Sequence, residues 1–232
     1  MVRIKRASKE ITMCVIFFLV VGAFLPGCHD DPLHPQPPVI SNNSDGMVPL
    51  KVGNEWIYRY FMYDTSGNEI ATFLDTVAVE RDTIIGNERW YRVPRLKPAD
   101  ADFFDFYTNR IDGLWVLQRV IGPNSDTAFS YLTFKYPTQP GDSWGNFVGD
   151  STRTSSIAEI IITPSGTDTC IKYEDHFQLY PTDSIIFWYY FKPGKGWVMF
   201  EIYSTTGSGR QYLLNRLILI NATNAKRQKE YL

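Results

Sequence analysis

The residues best suited to acid–base chemistry are three neighbours, Glu174, Asp175 and His176. A carboxylate beside an imidazole can transfer protons near neutral pH, because the pKa of histidine lies in that range. Successive side chains of a strand point to opposite faces, so only Glu174 and His176 can cooperate if this segment is a strand. No nucleophile motif, zinc-binding motif or phosphate-binding glycine loop accompanies them. The sequence therefore predicts a solvated strand end and no enzyme activity, metal site or cofactor.

Three other groups carry reactive or charged side chains, and each has a structural interpretation. Cys170 lies between Thr169 and Ile171, a setting that predicts a small buried side chain rather than a nucleophile. The segment 192–196 (KPGKG) is typical of a hairpin turn between aromatic strands. The acidic cluster Asp100, Asp102 and Asp105 lacks the glycine and the distal glutamate of a calcium loop, so capping and solvation explain it better.

The N-terminus carries the clearest chemical motif. Four basic residues within the first ten positions precede an apolar run at 11–25, and the run ends at Leu25-Pro26-Gly27-Cys28. A membrane-spanning helix needs about 20 apolar residues, so the run indicates a secretory signal instead. The last four residues resemble the lipobox of bacterial lipoproteins, which implies that residues 1–27 are removed and that Cys28 carries the acyl chains, palmitate among them. The alternative is a plain secreted protein with a chance cysteine.

The charge balance limits how such a protein attaches to a membrane. The chain has 23 Lys and Arg against 25 Asp and Glu, and residues 1–27 hold four of the basic residues and one of the acidic residues, so the mature chain has a net charge of -5. This balance excludes a strongly basic nucleic-acid binder, and it makes a polybasic membrane patch an unsuitable anchor. Attachment would then depend on the acyl chains. We expect a cell-envelope protein, at the outer membrane, on its periplasmic or its surface side.

The rest of the chain divides by composition. Residues 28–46 hold four prolines and no aromatic residue, which is typical of a disordered tether. Residues 47–221 hold 31 of the chain's 35 aromatic residues and predict one β domain. A polar tail follows at 222–232.

Alternating apolar and polar residues predict about eleven strands, separated by glycine, proline and asparagine turns. These strands are 55–63, 70–80, 89–93, 103–107, 114–120, 128–135, 156–163, 169–173, 185–191, 197–203 and 211–220. The predicted fold is all-β, a single antiparallel meander that forms a curved sheet, half-barrel or open barrel. A weak repeat, P-x3-G-[ND]-x-W, recurs 88 residues apart at 49–56 and 137–144. It is either a coincidence in a chain rich in glycine and tryptophan or the mark of two similar turns that each lead into a strand.

Four blocks occur in an order shared with other proteins: PLKVGNEWIYRY (49–60), YPTQPGDSW (136–144), TPSGTDTCIKYE (163–174) and YYFKPGKGWVMFE (189–201). In this the chain resembles a set of uncharacterised bacterial envelope lipoproteins. The resemblance implies an all-β envelope domain and supplies no catalytic residue.

The aromatic excess is the remaining functional signal. The strand 185–191 is apolar on both faces, so it is either a central buried strand or one whose second face lines an apolar cavity. Our first hypothesis is non-catalytic binding of an apolar or amphipathic ligand on a concave sheet, and its candidate lining residues are Trp56, Tyr58, Tyr60, Phe187, Tyr189 and Phe191. The alternative is a structural or interaction lipoprotein that presents aromatic surface to an envelope protein or a glycan. A hydrolase ranks last.

Overall fold

A computed structural model describes residues 46–94, 104–122, 125–145, 151–180, 183–205 and 208–223. Within these ranges the regular secondary structure is all β: β1 Glu55–Tyr63, β2 Glu69–Ala78, β3 Arg81–Ile85, β4 Glu88–Pro94, β5 Phe104–Arg110, β6 Gly113–Gly122, β7 Ser125–Lys135, β8 Ser143–Gly145, β9 Ser151–Thr163, β10 Gly166–Tyr180, β11 Asp183–Lys192, β12 Gly196–Thr205 and β13 Gln211–Thr223. None of the described residues forms a helix that could cross a membrane. The predicted all-β class is confirmed.

The strands form two antiparallel sheets. The larger has the order β2-β1-β13-β12-β11-β10-β9-β8, and the smaller has the order β3-β4-β5-β6-β7. Strands adjacent in sequence pair with each other except at β2/β3 and β7/β8, where the chain passes from one sheet to the other. The predicted meander is therefore present in both sheets, and pairing of β1 with β13 brings the two ends of the domain together. All eleven strands predicted from the sequence occur, and the strands that the sequence pattern missed are β3 and β8.

The larger sheet is strongly curved. Strand β9 approaches β12 and β13, although two or three other strands separate it from them in hydrogen-bonding order. In a flat sheet, with about 4.8 Å between neighbours, those strands would lie roughly 14 Å and 19 Å away. The sheet must therefore curl, as the sequence predicted.

The main core lies where the two sheets meet. Phe134 of β7 packs on Tyr173, Tyr189 and Phe191 of the larger sheet, with ring centroids 5.1, 4.9 and 4.5 Å away. Strand β1 contributes alternate side chains to this core: Trp56, Tyr58 and Tyr60 are all buried, whereas Arg59 is exposed. Burial of these large side chains is the main stabilising contribution.

The sequence repeat corresponds to two equivalent turns. Gly53 N–H donates to the Val79 carbonyl and Val79 N–H to the Asn54 carbonyl, 2.9 Å each. In the second copy Gly141 N–H donates to Thr154, 2.8 Å, and Thr154 N–H to Asp142, 2.9 Å.

Both glycines of the repeat adopt the left-handed backbone conformation, with φ of 86° at Gly53 and 91° at Gly141. Trp56 and Trp144 then each open a strand and reach the main core. The repeat is thus a real structural unit.

Candidate functional site

Four of the predicted lining residues lie inside the main core. Trp56, Tyr58, Tyr60 and Phe191 are all buried there. The Trp56 indole donates to the Lys195 carbonyl at 2.7 Å, so its polar atom is satisfied inside the protein. These contacts are those of a packed core and favour the structural interpretation of these four side chains.

The hydroxyl group of Tyr58 also has a hydrogen-bond partner inside the protein. It donates to the Trp197 carbonyl at 3.1 Å. Burial, assisted by the negative charge of Asp75, raises the pKa of Tyr58 far above its usual value, so the phenol stays neutral and remains a donor.

The other two predicted lining residues lie at the margin of this core. Phe187 stacks on Phe200 with centroids 6.1 Å apart and planes 5° apart, and Tyr189 stacks on Phe200 at 4.8 Å. All three are half-buried. We call these three residues the aromatic shelf. Its flat apolar surfaces can stack on a ring or cover an alkyl chain.

The opposite face of the same sheet carries a row of charged residues around one tryptophan. Five residues on five successive strands lie directly opposite one another, and we call them the ionic row: Arg153, Glu174, Trp188, Glu201 and Arg216. Their order is symmetric, with one glutamate and then one arginine on each side of Trp188. Opposite charges on directly paired strand positions stabilise a sheet.

Glu174 is the centre of the first half of this row. An Arg153 amino group lies 2.6 Å from its carboxylate, Lys172 Nζ lies 3.7 Å away and His176 Nε2 lies 3.8 Å away. Partial burial would raise the pKa of Glu174, but the hydrogen bond from Arg153 and the charge of Lys172 outweigh it and lower that pKa. Glu174 and His176 therefore do share a face, as predicted, but the ion pairs hold this carboxylate in its charged form.

Lys172 joins the charges to the aromatic residues. Its ammonium lies 3.5 Å from the centroid of the Trp188 ring, which is a close cation–π contact. The Trp188 ring also contacts Tyr203, with centroids 4.4 Å apart. Trp188 is therefore held on several sides by its own sheet.

Glu201 is the centre of the second half of the row and is buried. It accepts hydrogen bonds from the Tyr190 hydroxyl at 3.1 Å and from Arg216 Nε at 2.7 Å. Burial and the charge of Glu201 raise the pKa of Tyr190. Burial opposes ionisation of Arg216, yet the Glu201 charge raises the pKa of Arg216 overall. Removal of Arg216 would be costly, because it would leave the buried carboxylate of Glu201 without its charged partner.

The remaining residues singled out in the sequence have structural surroundings or lie outside the described ranges. Cys170 is completely buried, and burial with the charge of Asp168 raises the pKa of its thiol to about 12. Lys195, in the turn between β11 and β12, forms an ion pair with Asp168. Cys28, Asp100 and Asp102 lie outside the described residues, and Asp105 lies in β5. Within the described part of the chain, no cluster of three or more His, Cys, Asp or Glu side chains suits a metal ion.

The ionic row was not predicted from the sequence. A partial signal existed, since Lys172, Glu174 and His176 alternate along one strand and Glu201 interrupts an otherwise apolar strand. The pairing that unites them depends on strand register, which the sequence did not provide.

Comparisons with known proteins give no family assignment. No family model matches the chain, and no curated protein matches it. Two solved structures are similar to this chain, each at 12% sequence identity. One is a candidate lipoprotein from Parabacteroides distasonis, with a TM-score of 0.46 over 77% of this chain and 99% of that chain. The other is a candidate exported protein with a YmcC-like fold from Bacteroides fragilis, with a TM-score of 0.41 over 78% of this chain and 100% of that chain. The resemblance to envelope lipoproteins stays a prediction.

Proposed function

We propose that this chain is a lipid-anchored envelope protein that acts by non-catalytic recognition of an envelope protein or glycan. The location is supported by the sequence, in which the basic, apolar and Gly27-Cys28 elements of a lipoprotein signal occur in order. The non-catalytic part of this proposal is supported by one observation above all. Both carboxylates of the ionic row, Glu174 and Glu201, accept hydrogen bonds from arginines of the same sheet.

The anchor is tested by Cys28→Ala in cells that acylate lipoproteins. We expect the variant to lose the mass of the acyl chains and to move from the membrane fraction to the soluble fraction. Cys170→Ala is the matched control, because Cys170 is buried in the folded domain and its loss should leave membrane retention unchanged. Unchanged retention and unchanged mass in Cys28→Ala would refute the anchor.

A second candidate function is binding of an apolar or amphipathic ligand, and the observation that favours it is the half-buried aromatic shelf. Phe187→Ala should then weaken binding of a fluorescent fatty acid with little loss of stability. Tyr58→Ala is the contrasting variant, because truncation of a fully packed aromatic residue should lower the free energy of unfolding by about 3 kcal/mol or more. A folded parent that shows no saturable probe binding would exclude this function and leave recognition of a partner.

A further inference from the structure

The tether enters the domain at a defined point. Met47 and Val48 are buried in the main core, and the Asn109 side chain donates to the Val48 carbonyl at 2.7 Å. Gly46 lies directly against the same asparagine, since a Cβ at position 46 would collide with the Asn109 side chain. The chain therefore leaves the fold beside the C-terminal end of β5, where the β5–β6 turn begins.

Two more turns and the start of β1 meet at this point. Gly194 N–H, in the β11–β12 turn, donates to the Gly46 carbonyl at 3.1 Å. The neighbouring Lys195 donates through Nζ to Ser165 in the β9–β10 turn at 3.1 Å, and its carbonyl accepts from Trp56 at the start of β1. We call this end of the domain the tether end.

The tether end exposes large aliphatic side chains. Ile111 in the β5–β6 turn is 84% exposed, and Ile162 and Ile160 beside the β9–β10 turn are 78% and 60% exposed. Val52, in the turn that leads into β1, is 41% exposed. Turns are usually built from polar residues and glycine, so isoleucine and valine at the ends of three neighbouring turns indicate a surface that contacts an apolar environment.

We propose that the tether end docks on the lipid surface to which Cys28 is anchored, with these aliphatic side chains inserted among the lipid headgroups and upper acyl chains. This inference rests on the proposed lipid anchor. The 19 residues from Cys28 to Gly46 can span at most about 65 Å, so an anchored domain always stays close to the bilayer. Confinement at that distance makes a weak apolar contact effective, because binding becomes intramolecular. The strength of such an interfacial contact increases with the apolar area that is buried in the lipid.

Docking in this way would orient the domain. Strand β11 runs from Asp183 to Lys192 and ends at the tether end, so Phe187 of the aromatic shelf lies about 17 Å along the strand from Lys192, away from the tether end. The shelf would then face a partner in the envelope rather than the membrane.

Ile70 lies near the opposite end of β1 and β2, beside the pair Tyr63 and Glu69, and is 61% exposed.

Ile70 supplies a matched control for a direct test. The full acylated protein is prepared with Ile111→Cys, Ile162→Cys or Ile70→Cys and bound to phosphatidylcholine vesicles. Cys28 is blocked by acylation and Cys170 is buried, so an environment-sensitive fluorophore attaches at the introduced thiol. Vesicle flotation reports the anchor, and quenching by lipid-borne spin labels reports contact with the acyl region.

We expect all three labelled proteins to float with the vesicles, and the labels at positions 111 and 162 to be quenched at least threefold more than the label at position 70. Equal quenching at the three positions, or none at 111 and 162, would overturn docking while the flotation result upholds the anchor. If the label at position 111 becomes shielded from water but is not quenched by the lipid spin labels, then protein, such as a second copy of this chain, covers the tether end and docking on lipid is overturned. Loss of flotation would refute the anchor and the docking together.

Discussion

The left-handed glycine of the second repeat allows a clean test of the two equivalent turns. Gly141 has a φ of 91°, and a Cβ built there meets no atom within 4 Å. Any loss of stability in Gly141→Ala therefore comes from backbone strain rather than from a steric clash with neighbouring atoms. Left-handed backbone costs an L-residue about 1–2 kcal/mol, and the loss of glycine's unfolded-state entropy offsets part of it. The expected net destabilisation is about 1 kcal/mol, or roughly 2–4 °C in Tm for a domain of this size.

Gly145 provides the control, because it is an exposed glycine in β8 only four residues away. A Cβ at Gly145 also meets no atom within 4 Å, and its φ lies outside the left-handed region. Gly145→Ala should thus leave stability unchanged or raise it slightly, since alanine has less conformational freedom to lose on folding. Gly141→Asn should fall between the parent and Gly141→Ala, because asparagine tolerates the left-handed region better than alanine.

The assay is denaturant unfolding followed by tryptophan fluorescence, with the midpoint and slope compared for parent and variants. Gly53→Ala should repeat the result of Gly141→Ala, because Gly53 makes the equivalent hydrogen bond at a φ of 86°. If Gly141→Ala and Gly145→Ala both unfold at the same midpoint as the parent, the turn at Gly141 does not require its glycine.

Three further variants test other parts of the structure. Glu174→Gln should lower the free energy of unfolding at pH 7 but hardly change it well below pH 4.5, the ordinary pKa of glutamate. A carboxyl group whose pKa is lowered in the folded state stabilises the fold above its unfolded pKa, and this contribution is lost as the pH falls through the folded pKa. Parallel curves of stability against pH for parent and variant would contradict this. Tyr58→Phe should cost about 1 kcal/mol, since it leaves the Trp197 carbonyl without its phenol donor, and unchanged denaturant midpoints would show that the bond contributes nothing net. Gly46→Ala should lower the thermal midpoint by several degrees, because the new Cβ would collide with Asn109, and an unchanged midpoint would show that this contact relaxes freely.

Much of the fold could be predicted from the sequence because β1 and its neighbours show clear alternation between turn signals. The predicted bounds of β1 are identical to those observed, and the two entrances marked by Pro49 and Pro137 form the same turn. Only Val79 and Glu80 separate β2 from the missed strand β3. Neither is glycine or proline, so no turn signal divided the two strands in the sequence pattern. Strand β8 is three residues long, too short for any periodicity to appear.

The candidate site was harder to predict because its residues meet only through register. A hairpin sequence suggests a pairing, but a single extra residue in one strand transfers every later side chain to the other face. Such irregularities occur between Cys170 and Lys172 on β10, and again between Tyr190 and Phe191 on β11. Each lies beside the ionic row, so counting outward from the turns would have misplaced the partners of Glu174 and Trp188.

The doubly apolar strand β11 shows how the two faces of the larger sheet are distinguished. Alone, its sequence fits either a strand buried on both sides or one that lines a cavity. The residues paired with β11 on the adjacent strands distinguish its two faces. Trp188 lies between Glu174 and Glu201, whereas Tyr189 lies between Tyr173 and Phe200. Large aromatic residues therefore serve two purposes on one strand, as packing in the main core on one face and as the apolar centre of the ionic row on the other. Replacement of one aromatic residue by another of similar size should consequently be tolerated at Tyr189 but not at Trp188, whose ring contacts both a lysine and a tyrosine.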